Sequence, residues 1–226
     1  MGKKGLIFDF NGTLFWDTWQ NREAWKVMSR EIRGTELSDE ESAMLNGRTN
    51  PATIEYLLGR RPSQDDISRI SEAKEEMYAA LCLAHPERLC LAPGAEQLLD
   101  ASKRADVPLA IATSCGADNL ARYIEWFGLH RWFLNDRITY DRGLFPGKPH
   151  PAVYLAAART LRLEPCDCVV FEDTRSGIES ALAAGIGQVW AVASEMADIE
   201  TTSKISGVSG VLLDFGDFDL ASIEKQ

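Results

Sequence analysis

The first patterned stretch, Gly5-Leu6-Ile7-Phe8, is a short apolar run that stops at Asp9. A run without polar alternation marks a strand buried on both faces, as in a parallel sheet. Asn11-Gly12-Thr13 behind it reads as a turn. From about Asn21 to Leu83 the period changes. Trp25, Met28 and Ile32, then Ile54, Leu57 and Leu58, then Ile67, Ile70 and Met77 recur at helical spacing with charged residues between them. This predicts an inserted run of about four helices. After Ala92-Pro93-Gly94 strand and helix signals alternate. Helices are predicted over 95–104, 118–127, 151–161 and 176–184. Strands are predicted over 108–113, 168–171, 188–192 and near 211–213, and the tail from Ser194 reads as a last strand and helix.

Alternation of this kind specifies an α/β fold with a parallel sheet and right-handed crossovers. The core is expected over 1–15 and 88–226, interrupted by a helical domain over 16–87. Open parallel sheets bind ligands beyond the carboxyl ends of their strands. Chemically capable residues collect there: Asp9 after the first strand, Thr113-Ser114 after the second and Glu172-Asp173 after a later one. Lys148, in Gly147-Lys148-Pro149, precedes a helix. Singly, each has an ordinary structural reading: a capped turn, a buried hydroxyl, a helix N-terminus, a solvated loop charge. Their coincidence at successive strand ends favours a site.

Composition narrows the partners. The 226 residues carry a formal net charge of -10, which argues against nucleic acid, whose phosphates need a basic footprint. A small anionic ligand remains compatible, above all where a metal ion supplies local positive charge. The five cysteines are odd in number and dispersed, which fits reduced thiols in a cytoplasmic protein better than a disulfide framework. No apolar stretch has the ~20 residues of a membrane span. The N-terminal residues do not read as a signal peptide, and Gly2 lacks the Ser or Thr that a myristoylation motif would place at Leu6.

Phosphoryl transfer requires an in-line nucleophile, cationic neutralisation of the equatorial oxygens and a proton for the leaving group. Asp9 can attack phosphorus as a carboxylate and also bind Mg²⁺, a hard cation that favours oxygen ligands. Glu172 and Asp173 can extend the coordination directly or through water. Thr113 and the backbone amides of Gly12 and Ser114 can donate to a phosphoryl group. Lys148 can pair with a phosphate oxygen and with Asp9.

The segments Asp9-Phe10-Asn11-Gly12-Thr13-Leu14, Thr113-Ser114, Gly147-Lys148-Pro149 and Glu172-Asp173-Thr174-Arg175-Ser176-Gly177 resemble the four motifs of the haloacid dehalogenase-like superfamily. Their order and spacing agree from Lys4 to about Val192. The helical insertion resembles the small cap of the subgroup containing β-phosphoglucomutases and sugar phosphatases, with Trp16-Asp17-Thr18 as its hinge. The resemblance implies a Rossmann-like core, Mg²⁺ bound by Asp9, Asn11, Glu172 and Asp173, and an aspartyl-phosphate intermediate. It also implies a small phosphorylated substrate, for which a sugar phosphate is the first candidate, and a monomer or weak homo-oligomer.

One position departs from the pattern. Most phosphatases of the superfamily carry a second Asp two residues after the nucleophile, to protonate the leaving oxygen and then activate water. Here it is Asn11. An amide performs neither transfer, although its backbone carbonyl can still bind Mg²⁺. Three explanations stay open: a specialised or slow enzyme, a phosphate-binding protein without turnover, or a substitution introduced to trap the site. A mutase of the β-phosphoglucomutase type is a further alternative, although the stretch Trp19–Trp25 holds no cap histidine. In the insertion, Arg48 is the candidate for gripping a distal anion and Asn50 for a hydroxyl.

Overall fold

In the computed structural model the described residues are 4–194, 197 and 199–224, with the Glu224 side chain excepted. Gly2 and parts of the tail, at 195, 196, 198, 225 and 226, lie outside them. The chain divides into two compact units, Met1–Trp16 with Cys90–Gln226, and Asp17–Leu89.

The first unit is built on six parallel strands: β1 (Gly5–Phe8), β2 (Leu109–Ala112), β3 (Ile138–Thr139), β4 (Cys168–Glu172), β5 (Gln188–Val192) and β6 (Gly210–Leu212). Their order across the sheet is β3-β2-β1-β4-β5-β6, so β1 is central, with Phe8 registered on Ile111 of β2 and Phe171 of β4. Burial on both faces explains the unbroken apolar runs. One face sends Ile7, Val170 and Val189 into a cluster with α7 (Ala152–Leu161) and α8 (Arg175–Ala183). The other stacks Phe8 on Phe171 at 4.8 Å, with Phe215 against both. The remaining helices of this unit are α5 (Ala95–Arg104), α6 (Ala117–Phe127) and the single-turn α9 (Ile199–Thr202).

The predicted strands and helices of the core recur within a residue or two. Two features differ. The two-residue edge strand β3 is too short to leave a periodic signal. The expected last helix is replaced by short 3₁₀ turns at Phe215–Asp217 and Leu220–Glu224.

The second unit contains α1 (Thr18–Arg33), α2 (Asp39–Leu45), α3 (Asn50–Leu58) and α4 (Gln64–Ala84). Its core joins Trp25 and Met28 of α1, Leu45 of α2, Ile54 and Leu57 of α3 and Ile70 of α4. Helices α2 and α4 both start in capping boxes, Ser38 with Glu41 and Ser63 with Asp66. No helix among the described residues is long and apolar enough to cross a membrane.

Candidate active site

β1 ends by delivering Asp9, which is 5% exposed and whose N–H donates to Phe171 O at 3.1 Å. Neighbouring β4 ends at Glu172, leaving Asp173 just beyond it. Parallel register thus sets three carboxylates side by side. Oxygens of Asp9, Glu172 and Asp173 lie within 4.8 Å of one another. Lys148 reaches in from the loop before α7, donating to Asp9 Oδ1 at 2.6 Å and to Glu172 Oε1.

Glu172 is wholly buried, and both its oxygens are engaged. Oε1 accepts from Lys148 and from the Tyr154 hydroxyl at 2.8 Å; Oε2 accepts from the Thr174 N–H and hydroxyl at 3.0 and 3.1 Å. Thr174 also caps α8 by accepting from Gly177 N–H. The carboxylate therefore sits at the positive end of that helix. Gly177 makes this possible, since a Cβ there would fall 1.7 Å from Glu172 Oε1. Glu172 in this arrangement anchors Lys148.

Asp173 accepts from the Thr13 hydroxyl at 3.0 Å through Oδ1, while Oδ2 lies against Gly12. A side chain at Gly12 would meet that oxygen at 2.2 Å and would also have to adopt the left-handed φ of +80°. The Gly12 N–H donates to Phe15 O at 2.7 Å within the turn. In this conformation the missing side chain of Gly12 leaves room for Asp173, and its amide is bonded within the turn.

Thr113 follows β2; its hydroxyl accepts from Cys115 N–H at 3.1 Å and lies 3.5 Å from Asn11 Oδ1. Asn11 Nδ2 donates to Tyr123 Oη at 2.7 Å. Ser114 is half-buried ahead of α6. The structure thus joins Asp9, Lys148 and Glu172 by direct bonds, sets Asp173 within 4.8 Å of the other two carboxylates, and pairs Asn11 with Thr113. Arg48 and Asn50 belong to the helical unit, where Arg48 is exposed and Asn50 donates to Glu75 at 2.7 Å. Tyr154 and Tyr123 have no counterpart in the sequence reading. Both sit at apolar positions of amphipathic helices and look like ordinary core residues until their hydroxyls are placed.

Charge balance decides what the cluster can hold. Burial, followed by the like charge of Glu172, outweighs Lys148 and lifts Asp9 to about 7. Burial, then Glu172 and Asp9, raises Asp173 well above the carboxylate range. Burial alone would lower Lys148, but Asp9 and Glu172 hold it above its ordinary value. If all three ionised, these buried carboxylates facing one ammonium would leave negative charge uncompensated, and a hard dication is the group that would let them ionise together.

Residues 3–185 match the family model described as haloacid dehalogenase-like hydrolase. The chain belongs to that family. It is 32% identical over 185 residues to hexitol phosphatase A of Escherichia coli (strain K12), covering 80% of each chain. It is 31% identical over 192 residues to protein CbbY of Rhodobacter capsulatus, covering 82% of this chain and 84% of that one. A crystal structure of a HAD hydrolase, family IA, variant 3, from Entamoeba histolytica HM-1:IMSS superposes with a TM-score of 0.88. It is 37% identical, and 97% of each chain is covered. The family resemblance drawn from the four motifs is borne out, as is the Rossmann-like α/β fold, and the chain is a hydrolase of this family.

Proposed function

We propose that the chain is a Mg²⁺-dependent phosphatase of a small phosphorylated metabolite, working through an aspartyl phosphate on Asp9. The observation that carries this reading is the buried Asp9–Lys148–Glu172 pairing beside Asp173 at the carboxyl end of the central strand. The relative that acts as a hexitol phosphatase makes sugar phosphates the first class to test.

Asp9 attacks phosphorus and the ester P–O bond breaks, its electron pair leaving on the ester oxygen; water then attacks the same phosphorus, releasing phosphate and restoring the Asp9 carboxylate. Lys148 keeps the Asp9 carboxylate oriented and adds positive charge beside the equatorial oxygens. Thr113 and Ser114 donate to the phosphoryl group. Asp9, the Asn11 carbonyl and Asp173 would hold Mg²⁺, with Glu172 acting mainly through Lys148. When bound, the ion neutralises charge on the phosphoryl oxygens. The helical unit, Asp17–Leu89, is assigned the role of a substrate-selecting cap, with Arg48 and Asn50 as its candidate contacts.

Phosphate release from an aryl phosphate with Mg²⁺, lost on chelation and in Asp9→Asn, is the expected result. Asn11 favours one second reading, a protein that binds phosphorylated ligands with little turnover. Mg²⁺-dependent ligand binding without phosphate release across a broad panel of esters would select it and reject the phosphatase.

A further inference from the structure

Position 11 has its own built surroundings. The Asn11 side chain lies between two hydroxyls: Nδ2 donates to Tyr123 Oη at 2.7 Å, and the Thr113 hydroxyl lies toward Oδ1. An amide held there makes both contacts but has no proton to transfer in the useful range. Tyr123 is itself fixed. It is 1% exposed, its ring stacks on Phe10 at 4.6 Å, and Phe15 and Phe127 pack around it. A buried tyrosine in an aromatic cluster needs a partner for its hydroxyl, and here position 11 is a partner.

The titratable groups around Asp9 have other commitments. Lys148 bonds Asp9 and Glu172, Tyr154 bonds Glu172, and Asp173 accepts from Thr13. We propose that position 11 is built as a held amide with Tyr123 as its positioning residue. The site therefore selects phosphates whose leaving group departs as a stable anion, such as acyl or aryl phosphates, over esters of ordinary alcohols. This rests on the phosphatase reading but departs from the sugar phosphates that the hexitol phosphatase relative suggests, since those are esters of alcohols.

The chemistry follows from the bonds. In the first step an Asp9 oxygen bonds to phosphorus and the P–O bond to the leaving group breaks, its electron pair leaving with that oxygen. A carboxylate or phenolate carries the pair without a proton, whereas an alkoxide needs one in the transition state. In the second step water attacks the same phosphorus. The bond to Asp9 breaks, its electron pair returns to the carboxylate, and the proton from water goes to solvent. Without general acid–base help, an alcohol leaving group forfeits ~10²–10⁴ in rate.

The test is a leaving-group series of para-nitrophenyl, phenyl and glycerol phosphates with Mg²⁺, read as kcat/KM for the natural chain, Asn11→Asp, Asn11→Ala and Tyr123→Phe. The natural chain is expected to lose ~10² or more from the nitrophenyl to the alkyl ester, and Asn11→Asp to regain most of that on the alkyl ester. Asn11→Ala and Tyr123→Phe keep the steep dependence, since neither creates an acid. Tyr123→Phe shifts the side-chain amide ¹⁵N–¹H resonances of Asn11 with the fold intact. A flat series for the natural chain overturns the proposal, as do unmoved Asn11 resonances in Tyr123→Phe. Absence of turnover by the natural chain on the nitrophenyl ester also overturns it. In that event, activity of Asn11→Asp would leave the phosphatase reading standing, and inactivity of both would remove that reading too.

Discussion

The two units each bury a lysine beside aromatic rings and carboxylates, and the two clusters differ in a way that separates a site from a structural device. In the core, Lys148 lies 5.1 Å from the centre of the Tyr154 ring, bonded to Asp9 and Glu172, with Tyr154 donating to Glu172. In the helical unit, Lys74 lies 5.5 and 5.0 Å from the ring centres of Trp25 and Tyr78 and pairs with Glu75 at 3.0 Å. Tyr78 donates to Asp17. Lys74, Glu75 and Tyr78 share one helix, and Glu75 keeps a fifth of its side chain in solvent. The Lys148 cluster draws on the ends of two strands, a loop and a helix, and its carboxylates are sealed from water. A buried lysine–glutamate pair is therefore not in itself a site. The surplus of carboxylates at converging strand ends is what calls for a cation and an anionic ligand.

The largest expected effect comes from the proposed nucleophile. Asp9→Asn lowers aryl phosphate hydrolysis by at least ~10³ without loss of stability, measured by kinetics and thermal melting together. Next, Lys148→Met strands Asp9 and Glu172 and costs about 3–5 kcal/mol in metal-free protein. Lys74→Met costs no more than about half as much, because Glu75 can rehydrate. Equal losses in denaturant titrations would break the comparison.

A third expectation concerns pH. Asp9, lifted to about 7 by burial, and Asp173, also raised, bind more protons folded than unfolded between the ordinary carboxylate range and their folded values. Stability of metal-free protein therefore falls as pH rises from about 4 toward 7. Mg²⁺ opposes that fall, and its stabilising effect grows with pH. Melting temperatures that are insensitive to Mg²⁺ at pH 8 would count against the site. Effects of the same order as the Lys74→Met loss are expected for Tyr154→Phe and Tyr78→Phe, each about 1–3 kcal/mol through a lost bond to a carboxylate.

Much of the candidate site could be read in the sequence because abrupt stops of apolar runs at Asp9 and Glu172 mark strand ends, and strand ends are where parallel sheets bind ligands. Glycine carried less. Gly12 and Gly177 stood inside the quoted motifs, but only coordinates show that each leaves room for a carboxylate. The two tyrosines were hidden because a tyrosine at a core position of a helix has the same periodicity whether or not its hydroxyl reaches a site. Lys74 was hidden for the opposite reason: Lys74-Glu75-Glu76 reads as a solvated helix face, and only packing buries its first member.

The most direct test is rapid acid quenching of the Mg²⁺ protein during turnover of para-nitrophenyl phosphate, followed by peptide mass analysis. The account predicts one phosphoryl group on the peptide bearing Asp9, and none in Asp9→Asn. Undiminished phosphate release by Asp9→Asn, or turnover with the phosphoryl group on another residue, would contradict it.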